Sequence, residues 1–392
     1  MPFHQDAAGA IWCDQDDTGV KRSERWRRRA RAQSLSARVI ASNEAHPLKR
    51  LLICGASGNN DVGVKYHEHR CFYSGVISCG SIWTCATCSA RIRVRREAEL
   101  EKAAIEHCKR GGQLAMLTLT ARHKRRNSLT ETLDALLGAW RQFQCLSAWK
   151  RGGTTGVMDL ATGYVRALEV TYGENGWHPH LHTLLFIEPG CTELDALQMV
   201  ERAKSTWATL VRRKLGLAPS QKHGLHLLWF GADSQTAAHY IAKVAKEMTF
   251  AESKSGRDPM TLLDDTEPQS VAMFIEYAEA MHKKRALTWS RGLRQQLGLL
   301  DAEPTDDELA DANNDVGTEV AVLSGDHYRS LSWKDRLSWL EFFEHQQLLE
   351  ENWRKAAPTT YITRYFPSHS LRSFNSGPAE PSLCSVVLGR GP

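Results

Sequence analysis

An α+β fold is what the sequence predicts, and three observations predict it. First, between Gln113 and Phe250 short apolar runs of strand period alternate with segments of helical period. Second, the two middle strand-like runs are joined by Gly173-Glu174-Asn175-Gly176, a turn sequence that folds a chain back on itself. Third, 392 residues with 42% hydrophobic and 24% charged side chains form an ordinary globular composition, enough for one catalytic domain and an accessory module. The order of elements reads β-α-β-β-α-β-α. In that ferredoxin-like order helices cover one face of an antiparallel sheet and leave the other face for a site.

Each element has its own warrant. Residues 1–50 are polar and arginine-rich, which predicts a flexible basic arm with one short helix around Arg22 to Arg31. Residues 51–112 hold a cysteine cluster followed by a basic helix from Arg91 to Arg110, stopped by Gly111-Gly112. The core is expected at 113–250. It opens with the strand QLAMLTLT and the amphipathic helix starting at Ser128, whose spacing to Glu131 is that of a capping box. The hairpin strands YVRALEVTY and HLHTLLFIE follow, then a helix over Thr192 to Leu215, the strand GLHLLWF, and a helix over Ser234 to Met248. Residues 251–355 read as a mostly helical appendage, with helices at Met273 to Met281 and Trp333 to Arg354. Residues 356–392, rich in Ser, Pro and Gly, read as a disordered tail.

Charge and targeting narrow the function. The net charge of +5 is modest but uneven: Lys21 to Arg31 carries seven basic residues against Glu24 alone, and Arg91 to Arg126 carries eleven against four glutamates. Either stretch can track phosphates or form a solvated face. The N-terminus lacks the basic start and apolar stretch of a signal peptide, and no apolar run reaches about 18 residues, so a cytoplasmic protein without a membrane partner is expected.

The strongest chemical signal is GENGWHPHLHTLLF. Strand alternation puts His180 and His182 on one face and Leu181 on the other, so two imidazoles can grip one divalent cation. A turn on Glu174-Asn175 sets Glu169 opposite His180, and one on Asn175-Gly176 sets it opposite His182. Either way the carboxylate completes a mixed N/O set suited to Mn or Mg. His178 shares the same face and is the alternative ligand. The segment HYIAK carries Tyr240 and, one turn later, Lys243. A phenol titrates near pH 10, so it attacks well only where a cation stabilises its phenolate, a part Lys243 can play.

Three stretches in order, TLTARH at Thr118 to His123, GWHPHLH at Gly176 to His182 and HYIAK at His239 to Lys243, resemble the replication initiators of rolling-circle plasmids. These belong to the His-hydrophobic-His (HUH) endonuclease superfamily, with relaxases and certain transposases. The similarity is closest to initiators with a cysteine cluster just upstream, CGSIWTCATCSARI here, and it covers residues 70–300 when WSRGLRQQLG is included.

The resemblance implies a metal-dependent nick at a plasmid origin, single-stranded or supercoiled, through Tyr240. The tyrosine becomes joined to the 5′ phosphate and leaves a 3′ hydroxyl for the host polymerase, with a host helicase as partner. Val244 stands where some relatives carry a second tyrosine, which argues against a two-tyrosine exchange. Glu247 is a candidate for activating water at termination. A relaxase usually places its tyrosine before the histidines, and the short single-tyrosine transposases are much smaller. A non-catalytic, zinc-dependent origin-binding protein is the alternative from another class.

Cys71, Cys79, Cys85 and Cys88 are the expected ligands of a structural zinc, with His67 or His69 as substitutes for Cys71. Cys85-Ala-Thr-Cys88 supplies the familiar thiolate pair, and a redox role lacks thioredoxin-like surroundings. Such a zinc would shape the knob leading into the basic helix, where Arg91, Arg93, Arg95 and Arg96 are candidate DNA contacts.

Overall fold

The structure is a computed structural model that describes residues 4–5, 11–12, 21–42, 45–150, 152, 156–220, 222–231, 257–299, 302–311 and 317–356. It divides into two compact units. One comprises Met1–Leu51 with Ser81–Leu309, the other Leu52–Gly80 with Ala310–Pro392.

The first unit is built on five antiparallel strands: β5 (Gln113–Thr120), β6 (Ala161–Gly173), β7 (Gly176–Ile187), β8 (Leu225–Gly231) and β9 (Leu287–Trp289). Their order across the sheet is β8-β5-β7-β6-β9. Setting β9 aside as an added edge, the four strands expected from the sequence lie in the order 4-1-3-2. Two helices intervene, α3 (Leu129–Phe143) after β5 and α4 (Glu193–Leu215) after β7. α3 starts at the expected Ser128, without the reciprocal half of a capping box. The Ser128 hydroxyl accepts from the Glu131 N–H, and Thr192 forms a reciprocal capping box with Asp195. The helix expected over 234–248 lies outside the described residues.

Strand alternation separates the two faces of this sheet. Leu117, Leu119, Leu181 and Leu185 are buried on the face where α3 and α4 pack, joined there by the fully buried Trp207. On the opposite face, Leu114, Met116, Val165, Ala167, Leu184 and Phe186 pack against Leu100, Ala103 and Ala104 of α2 (Ala86–Lys109) and against Leu293 and Leu297. The second face is therefore roofed at one end and continues past Leu184 into His182 and His180 at the other.

β6 and β7 pair in the register Gly173↔Gly176 and Glu169↔His180, so the two-residue turn is Glu174-Asn175. This is one of the two registers the sequence allows, and it puts Glu169 on the histidine face. Gly176 has φ 88°, and a Cβ there would come within 3.0 Å of the Arg125 carbonyl oxygen, so glycine lets the loop that follows β5 approach the turn.

Helix α1 runs over Arg22–Ser42, well beyond the short basic helix read from sequence. Its arginines are held by tertiary partners: Arg28 Nη2 lies 2.5 Å and Arg27 Nη2 2.9 Å from the carboxylate of Asp264. The helix Pro268–Ala280 caps the hairpin end of the sheet, with Glu276 accepting from the Trp177 indole and the Leu129 N–H.

In the second unit β10 (Thr318–Leu323), β3 (Val62–His67) and β4 (Arg70–Ser74) form an antiparallel sheet in the order β10-β3-β4. The helix Trp333–Ala356 packs on it. The Glu344 carboxylate accepts from the Cys71 N–H at 2.7 Å, and the Tyr73 hydroxyl donates to the Arg336 carbonyl. No helix among the described residues is long and apolar enough to cross a membrane.

Candidate metal centre

The site grows from one property of β7. Period 2 carries His178, His180 and His182 to a single face, and pairing with β6 brings Glu169 beside them. Both ring Nε2 atoms converge on the same carboxylate oxygen: Glu169 Oε2 lies 2.6 Å from His180 and 2.8 Å from His182. The three groups are buried or nearly so, and their candidate ligand atoms lie within 4.8 Å of one another.

The other ring nitrogens also have partners. His180 Nδ1 is 3.2 Å from the His178 carbonyl, an acceptor, so the neutral ring carries its proton there and offers a bare Nε2 to a cation, whereas the charged ring donates Nε2–H to Glu169. His182 Nδ1 is 3.2 Å from Thr118 Oγ1, which can accept in the same way. Two bare ring nitrogens facing a carboxylate oxygen repel unless a proton or a cation lies among them. A buried set of two imidazoles and a carboxylate with anchored outer nitrogens has the chemistry to hold a divalent ion.

The electrostatics agree with that arrangement. Burial alone would push the Glu169 carboxyl up, but hydrogen bonds from His180 and His182 outweigh it and hold the group well below the usual carboxylate range. Burial disfavours the charged His180 ring, yet the bond and charge of Glu169 raise it on balance. His178 has no carboxylate bonded to it, and the charge of Glu169 only partly offsets what lowers it. Burial, with His180 and His123 beside it, pushes it down to about 4, so it stands neutral at physiological pH. His123 Nε2 lies 3.2 Å from His178 Nδ1, extending the row of imidazoles away from Glu169.

Four cysteines form a second donor group. Cys54, Cys79, Cys85 and Cys88 are all buried, a set of four donors that could hold a structural metal such as zinc. Three of them are those expected from sequence. The structure does not bring Cys71 to the group: β4 carries it, and its N–H is bound to Glu344. Cys54 takes that place because Gly55 N–H donates to the Ile77 carbonyl at 2.7 Å and Ile77 N–H to that of Ala56 at 2.8 Å, which draws Cys54 toward Cys79. A faint signal for this exists in the repeated Cys-Gly pairs, Cys54-Gly55 and Cys79-Gly80, both glycines having positive φ. Cys85 also caps α2, its sulfur accepting from the Cys88 N–H at 3.5 Å.

The four arginines expected to meet DNA have unequal surroundings. Arg96 is buried, and its guanidinium bonds Glu303 at 3.0 Å, Asp306 at 3.3 Å and the Pro304 carbonyl at 2.7 Å. Arg95 donates to the Leu309 carbonyl, and Arg93 donates to the Ser89 hydroxyl at 3.0 Å. Arg91 and Arg93 are half-buried. Tyr240, Lys243 and Glu247 lie outside the described residues. Thr118 and Cys54 have no role predicted from sequence, and His178 is expected there only as a substitute ligand.

Comparison with known proteins agrees with the motifs. The family model Rep_1, described as Replication protein, matches residues 76–337. A relative from Streptomyces lividans called Protein rep is 28% identical over 306 residues, covering 60% of this chain and 67% of the relative. A Neomycin resistance protein of Streptomyces cyanogenus is 30% identical over 135 residues, covering 29% of this chain and 31% of that protein. No solved structure matches the chain. With a buried two-histidine, one-carboxylate site on an antiparallel sheet and a family match across most of its length, this chain belongs to the Rep_1 replication protein family, the plasmid replication initiators.

Proposed function

We propose that the protein starts rolling-circle replication by nicking one strand at the double-strand origin of its plasmid, and later rejoins that strand. The observation that carries this reading is the convergence of His180 Nε2, His182 Nε2 and one oxygen of Glu169 at a single buried point. The strand order 4-1-3-2, with the histidines on the face opposite α3 and α4, fits the ferredoxin-like core of the HUH nucleases.

In this reading His180, His182 and Glu169 hold a divalent ion, Mn or Mg. When bound, the ion supplies polarisation of the scissile phosphate and offsets charge developing on its oxygens. The Tyr240 oxygen forms a bond to phosphorus as the bond from phosphorus to the 3′ oxygen breaks. The phenolic proton is released to solvent or a base, and the departing 3′ oxygen takes one up. Lys243 stabilises the phenolate or seats a phosphate oxygen. The phosphotyrosine ester keeps the energy of the broken bond, so rejoining needs no nucleotide. His178, neutral beside His180, fixes the His180 tautomer through its carbonyl. The cysteine group binds zinc and shapes the start of α2, from which Arg91 and Arg93 reach DNA phosphates. Host helicase and polymerase then use the opened strand and its 3′ hydroxyl.

The test is to incubate the protein with Mn and single-stranded oligonucleotides tiled across its plasmid's candidate origin, and to map any covalent adduct by mass spectrometry. The adduct is expected on Tyr240, absent in Tyr240→Phe and in the His180→Ala/His182→Ala double variant. Tight binding of that DNA without cleavage by any divalent metal would overturn the nuclease and leave an origin-binding protein.

A further inference from the structure

We infer that the loop between β5 and α3, with Arg122, Lys124, Arg125 and Arg126, is the seat for the backbone of the DNA strand as it enters the metal centre. The inference rests on the nuclease reading above and adds a surface to it.

The loop is basic, exposed and fixed beside the site. Arg122, Lys124, Arg125 and Arg126 are exposed, and among the described residues no carboxylate pairs with any of them. By contrast, several basic residues elsewhere in this unit are paired: Arg28 with Asp264, Arg50 with Asp307, Arg96 with Glu303 and Arg110 with Glu106. Four such cations within five residues repel one another, and a polyanion relieves that repulsion.

The loop's position follows from the register. Thr120, the last residue of β5, is the partner of His180, so the loop starts one residue beyond the row that carries His180 and Glu169. Two contacts then hold it against the hairpin. His123 Nε2 lies 3.2 Å from His178 Nδ1, and the His178 ring is 5.3 Å from that of His180, centre to centre. The Arg125 backbone passes so close to Gly176 that a Cβ at 176 would sit 3.0 Å from its carbonyl oxygen. Within the loop, the Asn127 side chain accepts from the Lys124 N–H at 2.7 Å and closes a turn. A mobile basic loop would attract DNA anywhere along its reach. One pinned to the metal-bearing strand sets the phosphates at a constant offset from His180, which makes His123 a positioning residue.

A strand's phosphate backbone is the partner of matching chemistry, because contacts with it are read through counterion release and not base identity. The measurement is fluorescence anisotropy of a labelled single-stranded oligonucleotide from the candidate origin, across a salt series, with all variants carried in Tyr240→Phe so that no covalent step intervenes. For Arg125→Ala/Arg126→Ala, the slope of log affinity against log salt should fall by about 1.4, two contacts at about 0.7 each. Arg125→Lys/Arg126→Lys, which keeps both charges, should hold the original slope. Arg212→Ala/Arg213→Ala, on α4 across the sheet from the histidines, should also leave it unchanged. His123→Ala should leave the slope in place while blurring the single cleavage position in the Tyr240-bearing protein. An unchanged slope in the Arg125/Arg126 alanine variant, or an equal loss in the α4 variant, would overturn the seat. Because binding is read without cleavage, absence of a Tyr240 adduct refutes the nuclease while leaving this result to stand or fall alone.

Discussion

Thr118→Val probes the proposed metal centre without touching any of its proposed ligands. The hydroxyl of Thr118 lies 3.2 Å from His182 Nδ1 and orients the ring whose Nε2 faces Glu169. Valine keeps the shape and the strand preference of threonine and removes only the acceptor. A neutral hydrogen bond contributes about 0.5–1.5 kcal/mol net. Loss of an outer partner of a ligating histidine also frees the ring and lets the other tautomer in, which typically weakens metal binding by about 10- to 100-fold. That corresponds to about 1.4–2.7 kcal/mol. Titration calorimetry with Mn on the unaltered protein, Thr118→Val and Thr118→Ser measures it directly. The serine variant keeps the oxygen and should bind close to the unaltered protein, with both variants melting near its temperature. Equal Mn affinity for valine and threonine at this position would refute the claim that Thr118 orients His182.

The remaining predictions concern packing, pH and the cysteine group. In Gly112→Ala the new Cβ would lie 2.2 Å from the His107 ring, so the ring must give up its 2.8 Å bond to the Ile187 carbonyl. Urea unfolding should show a loss of about 1–3 kcal/mol, the cost of a buried polar group left without its partner. Burial pushes His107 below the ordinary histidine range despite that bond, so the unfolded chain takes up its proton first. The stability this contributes is whole above the unfolded value of about 6.5 and declines as pH falls through the lower folded value. Urea midpoints of the unaltered protein and His107→Gln, compared from pH 7.5 down to about 5, should diverge in slope, and parallel lines would refute the assignment. For the cysteines, zinc content by mass spectrometry should fall in Cys54→Ser and persist in Cys71→Ser. The reverse pattern would place the metal on the ligands expected from sequence.

Much of the histidine hairpin is legible in the amino-acid sequence alone. The period-2 run of β7 places His180 and His182 on one face, whatever else the chain does, because side-chain alternation is a property of the strand itself. The Gly-Glu-Asn-Gly turn limits the hairpin to two registers, each bringing Glu169 to a histidine, and the strands β5 to β8 and the helices α3 and α4 fall where hydrophobic period puts them, whereas β3, β4, β9 and β10 are not foreseen. Local caps such as Ser128 with Glu131 are visible for the same reason: their partners lie within one turn.

What the sequence does not disclose involves partners far apart in the chain. Cys54 joins Cys79 through backbone bonds around Gly55 and Ile77, across a separation no ligand-spacing rule covers, while the nearer Cys71 is drawn into β4. Arg96 reads in sequence as one more charge on a basic helix, yet Glu303, Pro304 and Asp306, more than two hundred residues later, enclose it. Arg27 and Arg28 likewise meet Asp264, which turns an arginine-rich segment into an ordered helix. Periodicity reports which face a residue occupies, since that depends on its neighbours in the chain. Which group lies opposite that face depends on how distant segments pack, and only the tertiary structure decides it.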